Sequence, residues 1–361
     1  MSIETLVNKL TEAKKYYYNG IPIMSDSEFD NLEDELRELD PNNAYFSIVG
    51  TSVKGVDVVK HNHLLLSCAK GKEPRDVVRW LEKIKYNDSL VMMAKLDGLT
   101  GCITYINGEF SKMATRGDGR EGTNISHLFK YLGLPKTIPY KDTIDIAGEI
   151  ILPKNTLFET NGKPLRNIAC GLVSRKDAAD ELRFLSFVAF NIFGFSGLCT
   201  FNERLDVASK IGFKVVYNKV VSKSEIEETY NNYVNLFRQE FEYETDGLVF
   251  QVNDLSQLER IDSLYVIDNY HHYNFALKPK SVSVETIIRY IQWGGSKLGN
   301  LIPVAIFDEV TILGRKITKA SLSNYETVER LNLEVGDKII VSLNNDVIPY
   351  VVKNETKEIY Q

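Results

Sequence analysis

Apolar residues recur at helical spacing over the first forty positions. In residues 2–19, Leu6, Leu10, Ala13 and Tyr17 fall on one stripe, which predicts an amphipathic helix. Asn19-Gly20-Ile21-Pro22 ends it. Ser25, with Glu28 three residues on, then forms a capping box for a second helix whose stripe is Phe29, Leu32, Leu36 and Leu39, and Pro41 stops it. Two such helices are too few for a large core of their own. From about residue 60 the period shortens. Strands are predicted at 90–96, 100–106 and 110–116, the last two joined by the hairpin turn Asn107-Gly108, and again at 144–152, 184–193, 247–252 and 273–278. Helices are predicted near 74–86, 121–132, 154–160, 165–181, 200–211 and 222–240. Antiparallel hairpins mixed with helices point to an α+β fold, not a doubly wound parallel sheet. Past Lys280, five short strands (282–292, 303–310, 316–321, 338–343, 346–352) separated by tight turns suit a five-stranded OB-type barrel.

Composition narrows the class. With 361 residues the chain is long enough for two or three domains. Its 43% hydrophobic and 25% charged residues are those of a globular protein, not a disordered one. No stretch approaches the ~20 apolar residues of a bilayer span. The start, Met1-Ser2-Ile3-Glu4, lacks the positive charge and apolar core of a signal peptide, so the expected location is cytoplasmic, with no membrane partner. Cys68, Cys102, Cys170 and Cys199 are scattered without a C-x-x-C pair, which argues against a zinc finger within this chain. The net charge of −6 argues against a simple basic polyanion binder but leaves local nucleic-acid patches open.

The chemistry concentrates at strand ends. Lys95-Leu96-Asp97-Gly98 places Lys95 and Asp97 on one strand face. Taken alone, it reads more readily as a strand-end salt bridge than as a nucleophilic lysine. A lysine can attack phosphorus only as a free base, so its reference pKa of about 10.4 would have to be lowered by burial or a cationic neighbour. One hairpin later, Thr115-Arg116-Gly117-Asp118-Gly119 sets an arginine in a glycine-rich turn that can approach a phosphate or be a plain surface loop. Glu149 is a charge inside the apolar strand Ile146-Ala147-Gly148-Glu149-Ile150, suited to a ribose hydroxyl, a metal ion or a strand edge. Asp246-Gly247 opens one strand and Lys278 ends another. Asp26 and Asp30 share a helical face, read either as capping or as a site for something cationic. The histidines show no metal-ligand spacing, although His61 and His63 are placed to share a strand face.

Together these residues resemble the NAD-dependent DNA ligases, in order, over almost the whole chain. Tyr16, Tyr17, Pro22, Ser25-Asp26 and Asp30 resemble the family's module for nicotinamide mononucleotide. Leu66-Ser67 resembles a nucleotide-contacting segment. Lys95-Leu96-Asp97-Gly98 matches the motif of the adenylated lysine, and Thr115–Gly119, Gly148-Glu149, Arg166-Asn167, Asp246-Gly247 and Ala276-Leu277-Lys278 match later motifs. Ile302-Pro303-Val304-Ala305, residues 320–324, Val335-Gly336-Asp337 and residues 346–349 match the OB domain. The resemblance implies three parts: a helical module at 1–58, a mixed α+β nucleotidyltransferase (adenylation) domain at 59–281, and an OB-fold domain at 282–361.

It also implies a reaction with NAD and Mg²⁺ on nicked duplex DNA. Lys95 becomes lysyl-AMP with loss of nicotinamide mononucleotide, AMP moves to the 5′-phosphate of the nick, and the 3′-hydroxyl displaces it. In that scheme Lys95, Asp97, Arg116 and Lys278 are catalytic. Arg116, Arg166 and Lys278 hold phosphates, Ser67 contacts the nucleotide, Glu149 holds the adenosine ribose and Asp246 assists Mg²⁺. Tyr16, Tyr17, Asp26 and Asp30 take the cationic nicotinamide end.

Several positions depart from the family's pattern. Met93 stands where a Glu is usual and Gln251 where a Lys is usual, which removes a cation from beside the nucleotide. Phe29 replaces a Tyr, Tyr17 a His and Ala147 an Arg, and Ser174-Arg175 shifts an arginine by one place. The family continues into a tetracysteine zinc finger, helix-hairpin-helix repeats and a BRCT domain. This chain therefore suits a minimal ligase, a piece of a longer protein, or one subunit of a split, phage-type ligase with a partner chain carrying those elements, in a host cytoplasm. Two other functions stay open: an ATP-using nucleotidyltransferase, and a non-catalytic DNA-binding subunit.

Overall fold

The computed structural model describes residues 2–18, 24, 26–40, 43, 45, 57–158, 164–175, 179–264, 270–279, 283–295, 301–312, 315–322, 324–344, 348–357 and 359–360. The chain divides into two units, one formed by Met1–Pro22 with Asp40–Pro279 and the other by Ile23–Leu39 with Lys280–Gln361. The two expected N-terminal helices are α1 (Ile3–Tyr18) and α2 (Asp26–Leu39). Leu6, Leu10 and Ala13 of the α1 stripe and Leu32 and Leu36 of the α2 stripe are buried. The expected Ser25 cap lies outside the described residues.

The first unit is built on two five-stranded sheets. The strands are β1 (Val58–Lys60), β2 (Ser67–Gly71), β3 (Leu90–Leu96), β4 (Leu99–Ile106), β5 (Glu109–Thr115), β6 (Glu121–Thr123), β7 (Ile144–Ile151), β8 (Ser186–Phe193), β9 (Lys214–Val215), β10 (Asn218–Val221), β11 (Thr245–Val252) and β12 (Tyr270–Leu277). One sheet has the order β10-β3-β11-β12-β2 and the other β5-β4-β7-β8-β9, while β1 and β6 form a separate ribbon. The chain passes from the first sheet to the second at Asp97-Gly98, between β3 and β4. Strand β3 is apolar on both faces, which is why residues 90–94 read as an unbroken Leu-Val-Met-Met-Ala run. Leu90 and Met92 pack with helix α3 (Pro74–Ile84), and Val91 and Met93 pack with Ile151 and Val188 of the other sheet. Helix α3 is a clear case of local sequence deciding structure. Pro74 occupies its first turn, Glu73 and Asp76 form a capping box, and Val77, Trp80, Leu81 and Ile84 recur on the buried face.

Two predicted helices are absent. At 121–132 the chain makes the strand β6 against β1 and then a 3₁₀ helix, Ser126–Tyr131. Pairing with a distant segment overrode a weak local signal broken by Gly122 and Thr123. At 154–160 the described residues form a turn after Pro153, which bridges to Tyr243. Further helices are α4 (Leu165–Ser174), α5 (Ala179–Leu182), α6 (Phe201–Lys210), a helical run over 223–240, a short helix at Leu258–Asp262 and, in the second unit, one at Tyr325–Arg330.

In the second unit the five expected strands are β13 (Ser283–Gly295), β14 (Leu301–Ile312), β15 (Arg315–Ser321), β16 (Lys338–Asn344) and β17 (Ile348–Asn354). Two further residues, Ile359–Tyr360, extend the sheet past β17. The order β15-β14-β13-β16-β17, with β15 also lying beside β17, wraps the sheet around Ile288, Ala305, Phe307, Leu331, Ile339 and Val341, as in an OB barrel.

Candidate active site

Lys95 ends β3, and antiparallel pairing sets it opposite Gly247 of β11. The register slips between Thr245 and Gly247, so Asp246 sits on a bulge, a device that re-aims a side chain. Its carboxylate reaches Lys95, with Nζ 3.0 Å from Oδ2 and 2.9 Å from Oδ1. Lys278, just past β12, lies 3.3 Å from the same Oδ2. Two lysines thus share one carboxylate that is only 12% exposed. Behind them, Arg166 of α4 donates to Asp97 Oδ1 at 2.7 Å, a pair that is also largely buried. Glu149 on β7 pairs in register with Thr100 of β4 and accepts its hydroxyl at 3.1 Å. Arg116 leaves β5, its amide bonded to the Thr100 carbonyl, and its guanidinium points at the Ser67 hydroxyl at 3.5 Å.

Lys95, Asp97, Ser67, Arg116, Glu149, Arg166, Asp246 and Lys278 therefore belong to one linked region of the first unit. The side chains of Tyr16, Tyr17, Asp26 and Asp30 lie outside the described residues.

The electrostatics correct one expectation. Burial depresses the Lys95 pKa, but the charge and hydrogen bond of Asp246, with Asp97 and Glu149 adding to them, outweigh burial and hold it well above the usual lysine range. The requirement that Lys95 be made a free base is not met in this arrangement. Burial likewise opposes ionisation of Asp246, yet Lys95 and Lys278 hold its carboxyl far below the usual range. Burial pushes Glu149 up to about 7, against the pull of Lys95, the Thr100 hydroxyl and Arg116. Arg166 is lowered by burial.

The wall beside Lys95 is neutral. Register places Met93 opposite Val249 and Val91 opposite Gln251, on the face that carries Lys95. Met93 and Gln251 are both buried, and the Gln251 amide donates to the Val252 carbonyl. Sequence reasoning missed Phe190. It falls where β8 slips register against β7, between Ala189 and Asn191, so it is the bulged residue. Half-buried, it packs on the cluster of Met93 and Ala94 and on that of Leu65, Cys102 and Ala147. Only its spacing from Phe187 and Phe193 in a strand marked it in the sequence.

Gly247 lets these groups approach. A Cβ there would lie 2.4 Å from the Leu277 carbonyl oxygen and 3.2 Å from the Lys278 Cα. Backbone cannot yield as a side chain does, so Gly247→Ala should lower stability by about 1–3 kcal/mol, as overpacking does. Thermal unfolding of the variant checks this, and an unchanged midpoint would mean the strands spread freely.

Among the described residues, no group of three or more His, Cys, Asp or Glu side chains converges as a metal site. Asp246 Oδ1 is buried and accepts no well-aligned hydrogen bond. These residues fit a hard divalent ion held mainly by substrate phosphate and water, with Asp246 as a single protein ligand.

Two open sheets around a buried lysine–carboxylate cluster, in a chain that ends in an OB barrel, define the nucleotidyltransferase class. Comparison with known proteins narrows the class. Residues 54–278 match the model of the NAD-dependent DNA ligase adenylation domain, and residues 285–359 that of the NAD-dependent DNA ligase OB-fold domain. The chain belongs to the NAD-dependent DNA ligase family. It is 31% identical to a DNA ligase of Lachnoclostridium phytofermentans over 98% of this chain and 56% of that protein. It is 31% identical to a DNA ligase of Ruminiclostridium cellulolyticum over 96% and 54%, and 28% identical to DNA ligase 1 of Nocardia farcinica over 97% and 54%. The chain spans about half the length of these relatives. No helix among the described residues is long and apolar enough to cross a membrane.

Proposed function

We propose that this chain carries the adenylation chemistry of a nick-sealing, NAD-consuming DNA ligase. The observation that supports this most is the sharing of the buried Asp246 carboxylate by Lys95 and Lys278. The Lys95 amine attacks the α-phosphorus of the adenylate half of NAD. A P–N bond forms, the P–O bond to nicotinamide mononucleotide breaks, and the lysine gives up one proton. The 5′-phosphate oxygen of a nick then takes the AMP from Lys95, and the 3′-hydroxyl displaces AMP to form the phosphodiester.

Attack requires Lys95 to be released from Asp246, because the ion pair favours the ammonium form. Lys278, drawn to the same carboxylate oxygen, competes with Lys95 for it and stands ready to face a phosphate. Arg116 supplies a second cation for phosphate, and the Asp97–Arg166 pair fixes the chain where it crosses from β3 to β4. Glu149, near neutral pKa and already accepting from Thr100, is suited to a ribose hydroxyl. Phe190, beside Met93, offers an aromatic face to the adenine base. When bound, Mg²⁺ supplies charge neutralisation on the phosphates, with Asp246 as the protein carboxylate within reach.

Incubation with adenylate-labelled NAD and Mg²⁺ should yield a covalently labelled protein, while labelled ATP should not. Labelling by ATP alone would assign the chain to an ATP-using nucleotidyltransferase. The buried neutral Met93 and Gln251 favour a second reading, a DNA-binding subunit that depends on a partner. Binding of nicked DNA without any uptake of AMP would establish it.

A further inference from the structure

Residues 61–66 run as a strap between the β1–β6 ribbon and β2, and histidines clasp it. The His63 Nδ1 meets Asp145 Oδ2 at 2.8 Å, and its ring stacks on Phe193 at 4.9 Å. Asp145, 1% exposed, also accepts from Asn62 at 3.1 Å and from Thr104 at 2.7 Å, so a buried carboxylate fastens the strap to β4 and β7. The His271 Nε2 lies 3.2 Å from the Leu64 carbonyl, while its Nδ1 lies 3.0 Å from Asp262.

The strap in turn holds the glycine-rich turn. The Leu65 amide donates to the Gly119 carbonyl at 2.9 Å, and the His61 amide to the Arg120 carbonyl at 2.9 Å. The His61 ring Nε2 lies 3.1 Å from the Arg116 carbonyl. That carbonyl can only accept, so the ring must carry its proton on Nε2. Burial lowers the His61 pKa, in keeping with a neutral ring in this tautomer. The Arg116 carbonyl also accepts from the Gly119 amide, and the Arg116 amide donates to Thr100. Gly117, at φ +57°, makes the turn possible: a Cβ there would lie 1.9 Å from the Glu121 carbonyl oxygen. His61 thus holds the Arg116 backbone from the strap, while Ser67 meets its guanidinium.

We infer that His61 is a positioning residue for Arg116, setting the register of its turn through the Arg116 carbonyl. The inference rests on the assignment of Arg116 to a phosphate of NAD. Loss of the ring donor frees the turn, and misplacement by an ångström can cost about a hundredfold in rate.

The test is a double-mutant cycle on lysyl-AMP formation from NAD. His61→Leu should slow it roughly tenfold, whereas His61→Gln, whose amide reaches where Nε2 does, should stay within about threefold of the parent. In an Arg116→Ala background, His61→Leu should cost less than about twofold, because nothing remains for it to position. Unfolding midpoints of all variants separate folding from chemistry. An equal cost of His61→Leu in both backgrounds, or no rescue by Gln, overturns the positioning role. If Arg116→Ala alone leaves adenylation unchanged, the phosphate assignment fails, and the positioning role fails with it.

Discussion

Lys95→Ala should leave no protein-bound adenylate when the chain is incubated with adenylate-labelled NAD and Mg²⁺. The loss should be on the order of 10⁴-fold or more, as when a covalent nucleophile is deleted elsewhere. Lys95 is placed by β3 and gripped by Asp246, and no other amine on the same strand face can take its place. Lys278 is the nearest alternative, 3.3 Å from the shared carboxylate, yet it extends from β12, two strands away. Lys95→Arg should be equally inactive, since a guanidinium is not deprotonated at any working pH. Label on wild type that survives alkali but is lost in acid, with none on either variant, would identify the phosphoramidate. Residual label on Lys95→Ala would move the nucleophile to another residue. The substitution should barely change stability, because the lysine is partly exposed and Lys278 remains to pair with Asp246.

Asp246→Asn should lower stability and at the same time change how readily Lys95 loses its proton. It leaves two partly exposed ammonium groups without their shared counter-charge. The cost falls between that of a surface pair and that of a buried one, about 1–3 kcal/mol, which at this size moves the unfolding midpoint by roughly 3–10 °C. The sign against pH follows from both partners. Asp246 is depressed, so its contribution is present above the ordinary carboxylate range and fades as pH falls through its lowered folded value. Lys95 is raised, so its contribution is complete below about 10.4 and fades only as pH rises through its raised value. The gap in stability between wild type and variant should therefore be flat from about pH 5 to 9 and shrink at the extremes. Adenylation should move the other way. With the carboxylate gone, Lys95 loses the main force that keeps it protonated, so the ascending limb of the pH–rate profile, set by loss of that proton, should move to lower pH by about a unit or more. Unfolding midpoints and adenylation rates across pH check both parts. An ascending limb unmoved in Asp246→Asn would mean that Asp246 does not govern the lysine's proton.

Much of this site was legible in the sequence because its parts sit at strand ends. Lys95, Glu149 and Lys278 stand out as charges in otherwise apolar runs, and the strand at 90–96 was read to the residue. Helix α3 was legible because its cap and its stripe are local. Phe190 was not, because a bulge breaks the alternation that sequence reading relies on. Nor were the histidines of the strap. Spacing suggested at most that His61 and His63 share a strand face. In the fold they lie on an irregular segment and bond to Arg116 and Asp145, partners 55 and 82 positions away.

The sequence by itself determined most of the long strands and helices, though not the segments at 121–132 and 154–160, and which charged residues would stand at strand ends. Periodicities of 2 and 3.6, capping residues and hairpin turns are local properties of the chain. The tertiary structure alone decided what Lys95, the proposed nucleophile, is paired with and in which direction its pKa moves. From the tetrapeptide, Lys95 had to be a lysine made basic. The fold instead sets it against Asp246, 151 positions on, through the pairing of β3 with β11. A pKa depends on charges within a few ångströms, and those distances exist only once the sheet has formed.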